Sequence, residues 1–260
     1  MNGQLGLFQS QKCQFILGID AYPEWIRTAG VPLFISDRRL KTKKKLPRAG
    51  SEWCLDSGGY SELTINGRWT QNAPEYAQRV LRYQSDMGGL RWAAIQDWMC
   101  EPWVVEKTGL TIKKHQELTI QSLIDLRKIT TQIHWIPVLQ GWAMDDYLRH
   151  IDMYKAAGFD LTKESVVGIG SVCRRQRMNE ASTIIHRVAG QGIRLHGFGV
   201  KTTGLEKFAN QLVSADSMAW SFTARRQSVR LDGCTHKRCH HCIKFALQWR
   251  QKVLEIPHVY

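Results

Sequence analysis

A closed (β/α)8 barrel, a TIM-like α/β fold, is what this sequence predicts, on three observations. Eight short β-branched or apolar runs recur along the chain, stretches of helical character separate most of them, and most runs end on a polar residue or a glycine pair. Strand–helix alternation of this kind builds a mostly parallel sheet covered on both faces, and eight such units fit 260 residues. A doubly wound open sheet is the alternative that the same alternation allows.

The first two runs, FILGID (15–20) and PLFIS (32–36), are short and apolar, as strands buried on both faces are. WCLDSG (53–58) and WAAIQD (92–97) follow, and between them Pro74 opens a helical run carrying Tyr76, Val80, Leu81 and Tyr83. Leu110 to Ile129 holds apolar residues at three- and four-residue intervals, which predicts the helix ahead of IHWIPVLQG (133–141). Asp145 to Ala157 forms another helix, stopped by Gly158. VVGIGS (166–171), RLHGFGV (194–200) and SADSMAW (214–220) complete the eight. Asp56, Asp97, Gln140, the glycines of 168–170 and Asp216 all fall at the C-terminal ends of their runs, where a barrel gathers its active-site groups. Singly, an aspartate there is most often a turn former or helix cap. Five polar endings on one face point to a site.

Lys and Arg number 36 against 23 Asp and Glu, a formal charge of +13 that suits a polyanionic partner and equally suits a merely soluble basic protein. No apolar run reaches the roughly 18 residues that cross a bilayer, and MNGQLGLFQSQK lacks the layout of a signal peptide. The expectation is a cytoplasmic protein without a membrane partner. Seven cysteines, an odd number, suit a reducing compartment in which Cys13, Cys54, Cys100 and Cys173 stay thiols. The other three lie in GCTHKRCHHC (233–242), where Cys234, His236, Cys239 and Cys242 place four soft or borderline donors within nine residues. That is a zinc pattern, with His240 and His241 as competing donors and a disulfide as the alternative that the compartment disfavours. Four protein ligands leave no open position, so the metal is expected to staple the C-terminal helix 243–255 and not to act as a Lewis acid. The expected division is a barrel over 1–230 and a zinc-binding segment with its helix over 231–260.

DSGGY (56–60) sets a carboxylate at a strand end, then two glycines that admit a ligand to the backbone, then an aromatic ring. With QDWMCEP (96–102), VLQGW (138–142), GIGSVCRR (168–175), HGFGVK (196–201), SADSMAWS (214–221) and the cysteine cluster, it resembles the guanine transglycosylases that insert 7-deazaguanine bases. The wording is similar to the DNA-directed branch, the DpdA-like 7-deazapurine-in-DNA enzymes, more than to the longer tRNA enzymes. The resemblance implies exchange of guanine for a 7-deazaguanine such as 7-cyano-7-deazaguanine (preQ0), with structural zinc and without ATP or a redox cofactor. It implies Asp216 as the nucleophile at C1′, giving a covalent glycosyl-enzyme, and Asp56 as the general acid/base. Asp97 would accept from the amine and ring N–H of guanine, and Gln140 would address its carbonyl side. Ser57 and a backbone N–H near Gly168 would complete the polar edge, and Tyr60 and His196 would sandwich the flat base. The sequence departs from the tRNA enzymes twice. Their cysteine two residues after the pocket aspartate is absent, Trp98 and Met99 preceding Cys100, which has no assigned role; and their C-x-C-x2-C with a distant histidine is replaced by His236 at the middle cysteine and Cys242 as local fourth ligand.

Basic residues concentrate in RRLKTKKKLPR (38–48), CRRQR (173–177) and ARRQSVR (224–230). Arg174, Arg175, Arg225 and Arg226 follow strand ends and are expected to neutralise phosphates beside a flipped nucleotide, whereas 38–48 reads equally as a solvated loop. The partners implied are DNA, a 7-deazaguanine base and helper proteins that open the helix. Three other readings share these residues: the same exchange on tRNA, a hydrolytic glycosylase whose intermediate water resolves, and a non-catalytic zinc-containing nucleic-acid-binding module.

Overall fold

The computed structural model describes residues 12–172 and 179–260. Among them nine strands form one sheet: β1 (Gln14–Gly18), β2 (Leu33–Ser36), β3 (Trp53–Asp56), β4 (Leu90–Ala94), β5 (Trp135–Ile136), β6 (Val138–Leu139), β7 (Val167–Ile169), β8 (Leu195–Gly197) and β9 (Leu212–Ser217). Every pairing is parallel, in the order β5-β4-β3-β2-β1-β9-β8-β7-β6. Its two end strands, β5 and β6, are separated in sequence only by Pro137. Proline has no N–H for a ladder, so one strand is interrupted there. The first half pairs β4 through Ala93↔Trp135 and the second pairs β7 through Val138↔Gly168, which nearly closes the sheet on itself. The eight expected runs are thus eight staves of a TIM-like α/β barrel, with 133–141 the broken one.

Helices surround the sheet: α1 (Pro23–Thr28), α2 (Asp37–Leu40), α3 (Gly59–Asn66), α4 (Ala73–Met87), α5 (Pro102–Thr108), α6 (Ile112–Ile129), α7 (Met144–Ala156), α8 (Asn179–Ala189), α9 (Thr202–Phe208), α10 (Ala219–Arg226) and α11 (Ile243–Val253). The long ones start on side-chain caps. Asn72 accepts from the Glu75 N–H at 2.9 Å while the Glu75 carboxylate accepts from the Asn72 N–H at 3.0 Å, a capping box that opens α4. Thr111 caps α6 at Lys114 N (3.1 Å), and Asp146 accepts from the N–H groups of Trp142 and Ala143 at the start of α7. One run reads differently in space: the strand expected over 214–220 ends at Ser217, and Trp220 lies in α10. Its indole donates to the Gly18 carbonyl at 2.8 Å, so the apolar Met218–Trp220 stretch is a helix start anchored by the buried Trp220, which hydrophobicity alone cannot tell from strand.

The barrel centre is filled. Phe34 of β2, Trp92 of β4 and His196 of β8 come from strands that are not neighbours, yet their ring centroids lie 4.8–5.8 Å apart, a contact that only the interior allows. Outside, α11 packs on β1 through Phe15 and Trp249 (5.8 Å), and Ala246, Val253 and Val259 share the barrel's core. No helix among the described residues is long and apolar enough to cross a membrane.

Candidate active site

A cavity of about 290 Å³ opens at the C-terminal ends of the strands. Three carboxylates reach it from three staves: Asp56 ends β3, Asp97 follows β4 and Asp216 lies near the end of β9. Gln140, beyond β6, lines the same space, with Tyr60 and Gly59 on one wall and Phe34, Met99 and Phe198 as apolar lining.

Each carboxylate is held differently. Burial pushes Asp56 up to about 6, hydrogen bonds from the Ser36 hydroxyl and the Gly58 N–H pull the other way, and the Asp216 and Asp37 charges add to the rise. Burial, then the nearby Asp56 charge, pushes Asp97 up to about 7, against hydrogen bonds from Gln140 and Ser57. The Ser57 hydroxyl donates to Asp97 Oδ1 at 3.1 Å, and the Gln140 amide nitrogen donates to Oδ2. Gln140 is itself fixed from behind. Its N–H donates to His150 Nδ1 at 2.9 Å, its carbonyl accepts from the Gln116 amide at 2.7 Å, and its side-chain oxygen lies 2.8 Å from the Ser171 hydroxyl. Burial lowers His150 to about 3, so the ring is neutral and its Nδ1 acts as an acceptor. The Gly199 N–H donates to Asp216 Oδ1 at 2.9 Å, and the Val200 N–H donates to the Asp216 carbonyl at 2.8 Å. The 198–200 turn therefore wraps this aspartate, and Gly199 takes the left-handed φ of 60° that the turn requires.

Two residues that the resemblance placed at the base stand elsewhere. His196 is fully buried beneath the cavity floor, its Nδ1 2.9 Å from the Ser214 hydroxyl and its Nε2 3.3 Å from Asp216 Oδ1. The ring touches Phe34, Trp92 and Phe198 and lies outside the cavity lining. The Gly168 N–H is spent in the sheet on the Pro137 carbonyl at 2.9 Å, and Gly170 lines the cavity in its place. A Cβ at Gly168 would come within 2.3 Å of the Phe198 ring, so this glycine makes room for an aromatic wall. Tyr60, in the first turn of α3 and 37% exposed, and Gln140 do line the cavity, whereas Ser57 is buried behind Asp97. Arg225 and Arg226 are exposed at the end of α10 and do not line it; Arg174 and Arg175 lie outside the described residues.

Sequence reasoning missed Phe34, Met99 and Phe198. Phe198 and Met99 stood within HGFGVK and QDWMCEP, at strand ends, where an apolar residue among polar ones was a usable signal. Phe34 lies mid-strand, and nothing in sequence separates it from a core residue.

A family model described as DpdA, DeoxyPurine in DNA protein A, matches residues 11–260. The chain belongs to the DpdA family. No curated protein matches it. The family covers the cavity and the C-terminal cluster alike, and it implies a DNA substrate and transglycosylase chemistry.

In this DpdA-family chain the Cys234, His236, Cys239 and Cys242 donor atoms lie within 4.8 Å of one another, a set that could hold a metal ion. Tetrahedral zinc with Zn–S bonds near 2.3 Å sets sulfur atoms roughly 3.8 Å apart. Cys234 Sγ and Cys242 Sγ are 3.9 Å apart, His236 Nε2 is 3.2 Å from Cys239 Sγ, and the Leu231 N–H donates to Cys239 Sγ at 3.2 Å. The donors fit zinc in number, type and spacing. His240 and His241 stand outside the set, His241 Nδ1 lying 3.2 Å from Asp20 Oδ2.

Proposed function

We propose that the chain exchanges guanine in DNA for a 7-deazaguanine of the preQ0 type through a covalent aspartyl intermediate. The observation that carries this is the convergence of Asp56, Asp97 and Asp216 on one base-sized cavity in a DpdA-family chain. Asp216 attacks C1′ of the target nucleotide as the bond to guanine N9 breaks, and Asp56 gives its proton to the departing base. The incoming base then gives a proton back to Asp56 and attacks C1′, releasing Asp216, so configuration is retained. A carboxyl pushed up to about 6 can serve in both directions near neutral pH. Asp97, with Gln140 and Ser57, reads the purine edge, and Tyr60 faces the base. His196, beneath Asp216, serves as a positioning residue for the nucleophile, and Gly168 serves by admitting Phe198.

Cys234, His236, Cys239 and Cys242 would hold a zinc ion that supplies folding energy to the 231–260 segment, distinct from the 1–230 barrel. Arg174, Arg175, Arg225 and Arg226 would meet DNA phosphates, helper proteins would open the duplex, and the cytoplasm would be the setting. The test supplies purified protein with radiolabelled guanine or a labelled 7-deazaguanine and matched DNA and tRNA. Incorporation into DNA is expected; incorporation into tRNA alone overturns the substrate, and base release without uptake makes the chain a hydrolytic glycosylase.

A further inference from the structure

Beside the catalytic cavity lies a second, basic hollow of about 250 Å³, lined by Tyr22, Arg38, Arg39, Lys43 and His241 around Asp20. We propose that this hollow binds the sugar-phosphate backbone of the single strand whose nucleotide enters the cavity, an assignment that rests on the exchange reading for its substrate class. It comes from the very segment, 38–48, that in sequence reads equally as a solvated loop.

Four observations carry it. The segment is anchored: Asp37, 1% exposed, takes a two-pronged ion pair from Arg79 at 2.9 Å and a hydrogen bond from Tyr83 at 2.8 Å. Arg38 and Arg39 beside it remain exposed. Arg39 is also ordered, because the buried carboxylate of Asp20 pairs with it at 2.8 Å and lies 3.2 Å from His241 Nδ1, which ties α2 to the segment between Cys239 and Cys242. Asp20 is a positioning residue: one buried negative charge orients donors that outnumber it, leaving Arg38, Arg39 and Lys43 as net positive lining.

The hollow also carries an aromatic face. Tyr22 is 42% exposed, braced by Trp25 at 4.5 Å and by His241 at 6.3 Å. Cations interleaved with an exposed ring are what a single strand requires, charge for its phosphates and a flat face for a base. Finally, Arg38 links the hollow toward the site. Arg38 lines it and also a smaller hollow of about 150 Å³ shared with Ser57 and Gly58, and those two residues sit between Asp56 and Gly59 of the catalytic cavity. Arg38 also donates to the Ser61 hydroxyl at 3.0 Å, one residue beyond Tyr60. A strand lying over Tyr22 and Arg39 is thereby led past Arg38 to the cavity mouth.

The experiment is fluorescence anisotropy of a labelled single-stranded DNA oligonucleotide over a range of salt, with thermal melting as a folding control. Arg38→Gln/Lys43→Gln, both exposed and neither paired with the buried Asp20, should melt with wild type, weaken binding about tenfold or more at low salt, and flatten the log–log salt slope by about 1.4, from two lost single-strand phosphate contacts. Tyr22→Ala should weaken binding with the salt slope unchanged, because stacking releases no counterions. Wild-type affinity and slope in the double variant would overturn the proposal. So would a loss confined to Arg225→Gln/Arg226→Gln, which would put the strand along α10. A wild-type protein that exchanges no base while the double variant still loses binding would sink the exchange reading and leave the hollow standing.

Discussion

Asp97 combines burial, a neighbouring carboxylate and a proposed recognition role, and its titration exposes what that combination costs. An aspartate ionises near 3.9 when unfolded, but burial and the Asp56 charge push this one up to about 7. Between those values the native chain holds the extra proton, so its contribution to stability is lost as pH rises through about 7. Asp97→Asn removes the charge and keeps a polar group against Ser57. It should leave stability unchanged at pH 4 and raise it at pH 8 by on the order of 2 kcal/mol, while base exchange falls. Urea unfolding at the two pH values checks this, and an Asn variant less stable at pH 8 would show that the carboxylate is not strained. Asp216 accepts from the Gly199 N–H at a cavity wall, where water can take the carboxylate's place on that donor. Asp216→Ala should therefore fold with wild-type cooperativity and lose exchange by about a thousandfold or more. Mass spectrometry of the wild type quenched during turnover should find the nucleotide adduct on Asp216. An active alanine variant would remove it from the chemistry. Single-turnover guanine release should slow as pH rises through about 6, where Asp56 loses the proton it donates.

At the scale of elements, the metal cluster and the broken stave show what sequence can and cannot reveal. The four candidate ligands were legible because donors packed within nine residues need no tertiary knowledge to be seen as a set. Zinc held there would be coupled to local folding, since Cys234, Cys239 and Cys242 form their own small core with Ala224 of α10, packed by Val229, Leu231 and Phe245. Chelation, or Cys239→Ser, should expose amides of 231–255 to hydrogen exchange well before those of β1–β4, and metal analysis should find about one zinc per wild-type chain and none in the variant. Uniform protection across the chain after chelation would refute the coupling. The strand ends were equally legible, because Asp56, Asp97, Gln140 and Asp216 each close an apolar run, and all four line the cavity. What stayed hidden depends on closure. Pro137 splits one stave between two partners, a consequence of where the sheet meets itself. His196 lies under the floor because its ring packs against side chains from β2 and β4, a contact between strands far apart in sequence. The resemblance implies a backbone N–H near Gly168 at the base edge, yet the close approach this glycine permits is by Phe198, 30 residues on.

For the whole molecule, the arrangement of cavity and charge bears on how DNA is met. The cavity is walled by strand ends on all sides and takes about 290 Å³, the scale of one base, so a guanine stacked in a duplex cannot reach Asp216 without leaving its neighbours. Extraction from a paired helix costs a few kcal/mol, which the chain's overall charge of +13 does not repay, because phosphate contacts attract stacked and flipped DNA alike. The difference between substrates should appear in the rate and not in the encounter. With purified protein alone, kcat/KM should rank single-stranded DNA above a duplex carrying the target guanine in a mismatch, and both above the matched duplex, the ends of the series separated by about tenfold to a hundredfold. Binding measured at the same salt should differ far less. Equal kcat/KM for matched duplex and single strand would mean that the protein pays for opening with contacts of its own, and the search for helper proteins would lose its motive. A matched duplex that reacts only when a second protein is added would place the opening step outside this chain, leaving the barrel to select and exchange a base already presented to it.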